Sequence, residues 1–316
     1  MTTAPRPLVS LPAARWAGLW PDGEAPVELV LWDLTAPPER VPELAVLPYE
    51  DAGAVAPMLR QVQGIRAAQT LTAGYESVLA HLPDGMVLAT AAGVHSASTA
   101  ELAVGLTIAA LRGLDDFARA QPQGRWRYEY RPALADRRVL LIGTGGVGGA
   151  IAARLVGFEV SLTRVGRTAR QDGAGPVCAV ADLPRLLPEH DVVILACPLT
   201  EQTRGLADAR FLAAMPDGAL LVNVARGGVV DTAALLAELT RGRLRAALDV
   251  TDPEPLPADH PLWRAPGVLI SPHVGGNSSA FEPRMKALLR DQLGRFARGE
   301  PLRNVVAGWP AAAIRS

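Results

Sequence analysis

A chain of 316 residues is longer than one ordinary domain, so two domains are the starting expectation. Its composition, 49% hydrophobic and 20% charged with a formal net charge of −1, suits a well-cored α/β protein and gives no global electrostatic basis for binding nucleic acid or an anionic membrane. No apolar run approaches the roughly 20 residues of a membrane span, the start Met1-Thr-Thr-Ala-Pro-Arg-Pro7 has no signal core, and Cys178 and Cys197 form neither a C-x-x-C pair nor a metal-ligand spacing, so a cytoplasmic setting is expected.

The first part reads as short strands alternating with helices. Strands are predicted at Val27–Trp32, Leu44–Leu47, Ala67–Leu71 and Met86–Thr90, with helical segments at Val55–Gln63 and Tyr75–His81. A long helix is predicted from Ser98 to about Ala120. Ser98 or Thr99 caps it, Glu101 falls in its first turn, and Leu102, Leu106, Ile108, Ala109 and Leu111 form its apolar face. The polar stretch Gln121–Arg131 follows. The Pro/Gly clusters at 36–42 and 171–176 read as loops.

Val139-Leu-Leu-Ile-Gly-Thr-Gly-Gly-Val-Gly148 then runs an apolar strand straight into G-x-G-x-x-G, with a helix after it. That order is what dinucleotide binding requires. Gly143 allows the tight turn, Gly145 leaves the pyrophosphate unobstructed, and Gly148 lets helix and strand pack closely. The helix N-terminus, with Gly146 and Val147, offers N–H groups to the phosphates. Further strands are predicted at Val160–Thr163, Val177–Val180, Val192–Ala196, Leu220–Asn223, Arg245–Asp249 and Val268–Ile270, with a last helix from about Ala280 to Arg298. Strands joined by helices imply a parallel, doubly wound sheet. One α/β unit therefore precedes the nucleotide unit, and the last helix and tail return to complete the first.

Three further segments place polar groups at strand ends, the edge that faces ligand in such sheets. Arg226, in Asn223-Val-Ala-Arg-Gly-Gly228, is a permanently charged fork suited to a carboxylate. Glu254 sits in a stiff loop between Pro253 and Pro255. His273, in Ser271-Pro-His-Val-Gly-Gly276, is a natural acid/base for a hydroxyl–carbonyl interconversion. His81, His95, His190 and His260 lack such neighbours and read as structural.

The order G-x-G-x-x-G, N-x-A-R-G-G-x-V-D, A-L-D-V-x-x-x-E-P, S-P-H-V-G-G resembles the D-isomer-specific 2-hydroxyacid dehydrogenase family. Ala100-Glu101, Cys197-Pro-Leu-Thr-Glu-Gln-Thr-Arg-Gly205, Thr72-Ala-Gly74 and Arg303-Asn-Val-Val306 extend the likeness over nearly the whole chain. The resemblance implies two doubly wound α/β domains: a Rossmann cofactor domain, 98–282, inserted into a flavodoxin-like substrate domain, 1–97 plus 283–316. It implies that Arg226 binds the substrate carboxylate and the C2 oxygen. His273 exchanges a proton with that oxygen, and Glu254 hydrogen-bonds His273. Backbone around Thr72, Ala73 and Gly74 holds the other carboxylate oxygen. Asp249 sits near the nicotinamide, and Cys197, Pro198, Val224, Ala225, His273, Val274, Gly275 and Gly276 line the cofactor. A small 2-keto or 2-hydroxy acid substrate and a homodimer are also implied.

One departure concerns the cofactor. NAD-preferring members end the second nucleotide strand with an aspartate, whereas here Arg164 occupies the counted position, with Arg167 and Thr168 close by. Arginine pairs with a 2′-phosphate and cannot accept from ribose hydroxyls, so NADP(H) is expected over NAD(H). With no obvious basic cluster in the first domain, glyoxylate or hydroxypyruvate is favoured. Phosphoglycerate or phosphite oxidation and a nucleotide-sensing, corepressor-like role are the alternatives; Glu254 argues against formate dehydrogenase.

Overall fold

Alternate residues of short aliphatic runs face opposite sides of a strand, and here both sides are covered. In the computed structural model, which describes residues 5–20 and 23–308, the chain divides into two units, Met1–His95 with Ser279–Ser316 and Ser96–Ser278. The first unit begins with strands β1 (Leu8–Leu11), β2 (Glu28–Leu31), β3 (Leu44–Val46), β4 (Ala67–Gln69) and β5 (Val87–Ala89), and helices α1 (Ala52–Val55), α2 (Met58–Gln61) and α3 (Glu76–Leu79). The strands lie parallel in the order β2-β1-β3-β4-β5, the flavodoxin-like arrangement. Leu44 and Val46 pack into one apolar layer while Ala45 and Leu47 pack into the other, the period-two division of a strand buried on both faces. β1 is absent from the predicted strands, since four residues carry little periodicity. Pro57 separates α1 from α2, so the predicted helix over Val55–Gln63 is two short ones.

The second unit opens with α4 (Ser96–Arg112) and α5 (Leu114–Ala120), then β6 (Arg138–Ile142), α6 (Gly146–Leu155), β7 (Ser161–Gly166), β8 (Arg170–Asp172), β9 (Gly175–Ala179) and α7 (Leu183–Leu186). β10 (Val192–Leu195), α8 (Ala209–Ala214), β11 (Leu220–Asn223), α9 (Thr232–Thr240), β12 (Arg245–Leu248) and β13 (Val268–Ile270) complete it. The sheet order is β8-β9-β7-β6-β10-β11-β12-β13, parallel except for the β8–β9 hairpin. From β9 to β12 this is the order 3-2-1-4-5-6 of a dinucleotide-binding fold, with its crevice between β6 and β10. Leu140 and Ile142 face one helical layer, Val139 and Leu141 the other.

Three local readings are corrected here. The helix expected from Ser98 to Ala120 is broken at Gly113, whose φ of 64° ends α4 in a left-handed turn. Because α4 begins at Ser96, Ser98 and Thr99 lie inside it and Glu101 falls beyond its first turn. The cluster at 171–176 is a hairpin turn rather than a loop, made possible by Gly175 at φ 109°.

The chain then returns to the first unit as α10 (Phe281–Ala297) and β14 (Val305–Ala307), which pairs antiparallel with β5. Met285, Leu289 and Leu293 of α10 are fully buried against that sheet's layer with Val9, Leu44 and Val46. Among the described residues no single helix is long and apolar enough to cross a membrane.

Candidate active site

The turn between β6 and α6 is shaped by what its glycines exclude. A Cβ on Gly143 (φ 110°) lands 2.5 Å from the Ala196 carbonyl, and one on Gly148 lands 1.9 Å from the Gly143 oxygen. A Cβ on Gly145 meets nothing within 4 Å, so that side is open to a ligand. Gly145 is the N-cap of α6, and no side chain caps the helix. The uncapped first turn, with Gly146 and Val147, suits a pyrophosphate. Beside it is a cavity of about 520 Å³ lined by Gly143, Gly145, Arg167, Thr168, Cys197 and Pro198. Burial pushes the Cys197 thiol up to about 11, so it lines the cavity as a neutral group. Thr144, Arg170, Thr200, Gln202 and Thr203 also line it, and sequence reasoning did not single them out. Arg170 reaches the cavity because the hairpin folds it back to donate to Thr144 Oγ1.

Arg164 is not part of this lining. β7 extends two residues past it, to Gly166, and Arg164 is paired with Leu141 inside the sheet. Only 8% exposed, its guanidinium forms a two-pronged bond with Asp172 and donates to the Gly175 and Pro176 carbonyls. The bond to Arg164 holds the Asp172 carboxyl below its usual value. The expectation that Arg164 meets a 2′-phosphate is therefore corrected: its guanidinium is buried and both terminal nitrogens are turned to bracing the hairpin. Arg167 and Thr168, just past the true strand end, take the position that counting assigned to Arg164.

Arg226, Glu254 and His273 come from the loops after β11, β12 and β13, three neighbouring parallel strands. They stand three, six and three residues past the paired positions Asn223, Leu248 and Ile270. Neighbouring parallel strands end together, so their loops emerge side by side. Asn223 braces the first loop, donating from Nδ2 to the Arg226 oxygen and accepting from the Ala225 N–H. Arg226 itself is extended and donates from Nη1 to the Ala225 carbonyl. The next residue must be glycine, because a Cβ on Gly227 sits 1.8 Å from the Thr251 oxygen. Val224 and Ala225 are buried beneath.

His273 Nδ1 and Glu254 Oε1 form a short hydrogen bond. Burial pushes the Glu254 carboxyl up. The hydrogen bond to His273, the charge on that ring, a Thr251 backbone bond and Arg226 outweigh it and hold the group below the ordinary carboxylate value. With Nδ1 engaged, Nε2 is the ring nitrogen left to act. His273 adopts φ 53°, a left-handed conformation uncommon for histidine that the surrounding loop imposes. Asp249 supplies that constraint. At 3% exposed, it accepts from Ser271 Oγ, the Val274 N–H and the Gly275 N–H, while its own carbonyl takes the His273 N–H. A Cβ on Gly275 lies 2.9 Å from Asp249 Oδ2, so glycine is needed there too. Of the remaining histidines, His190 is buried with both ring nitrogens bonded and His260 caps a short turn. Thr72, Ala73 and Gly74 lie in the first unit, after β4.

Residues 104–275 match the family profile described as D-isomer specific 2-hydroxyacid dehydrogenase, NAD binding domain. The chain is 36% identical over 214 residues to a human protein named glyoxylate reductase/hydroxypyruvate reductase, a match covering 65% of each chain, so just under two thirds of the human protein is spanned. It is 30% identical over 298 residues to a protein named glyoxylate reductase from Korarchaeum cryptofilum, covering 88% of this chain and 89% of that one. A solved structure of a D-isomer specific 2-hydroxyacid dehydrogenase from Xanthobacter autotrophicus Py2, in complex with NADPH and MES, aligns with a TM-score of 0.79 and 28% identity, covering 96% of this chain and 99% of that one.

Proposed function

Because this chain belongs to the D-isomer-specific 2-hydroxyacid dehydrogenase family, whose named relatives are oxidoreductases of the CH–OH group, we propose that it reduces a small 2-keto acid to the D-2-hydroxy acid, with glyoxylate and hydroxypyruvate as first candidates and NADPH favoured over NADH. The observation that carries the reading is the convergence of Arg226, Glu254 and His273 from three adjacent strand ends. Among the described residues the Arg226 guanidinium donates only from Nη1 to the Ala225 carbonyl, which leaves donors for the substrate carboxylate and the C2 oxygen. His273 donates a proton from Nε2 to that oxygen during reduction and recovers it in oxidation. Glu254 fixes the ring's tautomer and stabilises its charged form. When bound, the nicotinamide supplies hydride to C2. The α6 N-terminus, with Gly145, Gly146, Val147 and Gly148, holds the pyrophosphate. Val224, Ala225, Val274, Gly275 and Gly276 border the nicotinamide, and the Asp249 carboxylate, whose Oδ2 accepts from the Gly275 N–H, offers an acceptor for its amide. Thr72, Ala73 and Gly74 serve as the substrate loop of the first unit.

The cofactor preference follows from the cavity beside the glycine turn. Among the described residues no carboxylate lines it, and Arg167, Thr168 and Arg170 do. A 2′-phosphate finds two guanidinium groups there, whereas ribose hydroxyls find no carboxylate acceptor. Initial rates with glyoxylate and hydroxypyruvate, each with NADPH and NADH, test both parts. Wild type is expected to favour NADPH, and Arg167→Ala to raise the KM for NADPH by about tenfold, the loss of one charge-assisted contact, while barely changing that for NADH. A wild-type preference for NADH overturns the cofactor assignment, and no turnover with either substrate overturns the substrate assignment.

A homodimer is proposed from the same unit. Trp126, Tyr128 and Tyr130 stand two residues apart in a stretch that belongs to no helix or strand and are 93%, 95% and 97% exposed. Three large aromatic side chains within five residues are thus left in water, the mark of a surface that another protein covers. A second copy of this chain is the proposed cover, which also fits a cytoplasmic enzyme whose Cys178 and Cys197 are unpaired. Light scattering after gel filtration should give twice the chain mass, and the triple Ser variant at 126, 128 and 130 a single chain. A monomeric wild type overturns this.

A further inference from the structure

We propose that His95 and the buried pair Gln69–Gln292 are positioning residues that hold the Thr70–Gly74 loop with its N–H groups available for a carboxylate. The inference rests on reading Thr72–Gly74 as the substrate loop, and its test separates the two. The carbonyls of this loop are nearly all taken by donors inside the first unit. Gln69 Nε2 donates to the Thr70 oxygen at 2.8 Å, and His95 Nε2 lies 3.2 Å from the Leu71 oxygen. The Thr72 oxygen accepts from Thr70 Oγ1 at 2.7 Å and from the Ala91 N–H, and the Gly74 oxygen accepts from Thr72 Oγ1 at 2.7 Å. Among the described residues, the N–H groups of Thr72, Ala73 and Gly74 donate to no protein group. Acceptors are consumed and three consecutive donors remain, which is the composition of a backbone anion cradle.

What fixes this arrangement comes from α10. Gln292 is fully buried and reciprocally bonded to the Arg303 backbone, donating to its oxygen at 2.9 Å and accepting from its N–H at 2.8 Å. That pairing fixes which end of the Gln292 amide is nitrogen. Its second N–H therefore points a donor at Gln69 Oε1, 2.8 Å away, which in turn directs the Gln69 amide nitrogen to the Thr70 oxygen. The polarity of a buried chain is thus set at one end and read out at the loop. Three turns earlier on the same helix, Phe281 stacks on the His95 ring, with centroids 4.9 Å apart and planes 20° apart, and Tyr49 flanks it at 5.8 Å. The ring is held while its Nε2 holds Leu71.

The test compares variants that a merely structural role would rank in the opposite order. His95→Phe keeps a ring on Phe281 and loses the donor, whereas His95→Gln loses the ring and keeps a donor. Positioning predicts that His95→Phe raises the KM for glyoxylate by roughly tenfold, the worth of one net hydrogen bond, with kcat within about threefold and NADPH affinity unchanged, and that His95→Gln restores much of the loss. Gln69→Leu with Gln292→Leu removes both partners together, which leaves no unpaired buried amide between them, and is expected to raise KM in the same way. A tolerated His95→Phe beside a harmful His95→Gln overturns the proposal, as does a wild-type KM in the double Leu variant. Ala73→Pro, which deletes one free N–H, tests the underlying reading. If it raises KM while the other variants do not, the loop binds substrate and the positioning role is wrong. If it too leaves KM and oxamate inhibition unchanged, the loop assignment itself falls and takes the proposal with it.

Discussion

His273→Asn is expected to lower kcat for keto-acid reduction by about 10³-fold, within the 10²–10⁴ range of a positioned general acid, while NADPH still binds. Asparagine is the better replacement because residue 273 sits at φ 53°, which asparagine tolerates more readily than alanine. The Asp249 brace engages the main chain at 273, 274 and 275, so the loop keeps its shape without the imidazole. Glu254→Gln serves as the partner experiment. The Glu254 carboxyl is held below its ordinary value, so it remains charged through the neutral range. The sign follows from that depression: its contribution to folding is present above the unfolded value of about 4.3 and is lost as pH falls through the lower folded value. Activity lost near pH 7 in Glu254→Gln is therefore a loss of charge beside His273 rather than of a titrating base. Steady-state rates at saturating keto acid decide the point. A His273→Asn enzyme retaining more than about a tenth of wild-type kcat, against the expected range, removes His273 from proton transfer.

Arg226→Gln is expected to lower kcat/KM for a keto acid by about 10²–10⁴-fold, the range for truncating one partner of a hydrogen-bonded charge pair. Its signature differs from that of His273. The carboxylate is present in the ground state as well as the transition state, so KM should rise together with the fall in kcat. Arg226→Lys keeps the charge but loses the planar fork and should recover little. Asn223 and Gly227 hold the backbone on either side, so neither change disturbs the loop. Nucleotide titration followed by fluorescence checks that the cofactor site is intact. An Arg226→Gln enzyme with an unchanged KM for glyoxylate places the carboxylate elsewhere.

The two doubly wound sheets were legible because each strand is a short run with its own period and each glycine turn is a local demand. Gly143, Gly148 and Gly227 occupy places where a Cβ collides with backbone within 3 Å, and such needs are written in the string itself. The same holds for Arg226, Glu254 and His273 as residues just past strands, since a parallel sheet presents all such positions at one edge. The break at Gly113 and the hairpin after Arg170 were less legible. A single glycine inside a helical pattern is often tolerated, and a three-residue strand has no periodicity of its own.

By itself the sequence determined the class of fold, most of its strands, the place of the glycine turn and the residue types at the strand ends, because these depend on neighbours within a few positions. Only the tertiary structure decided which arginine faces the cavity beside the glycine turn. Arg164 and Arg167 are equivalent in the string, but Asp172, eight residues on, reaches back to neutralise one of them. It alone also joined Gln69 to Gln292 across 223 positions, and set Asp249 as the brace beneath His273. A buried polar group is defined by the partner that satisfies it, and that partner is chosen by how the chain packs rather than by what stands next in sequence.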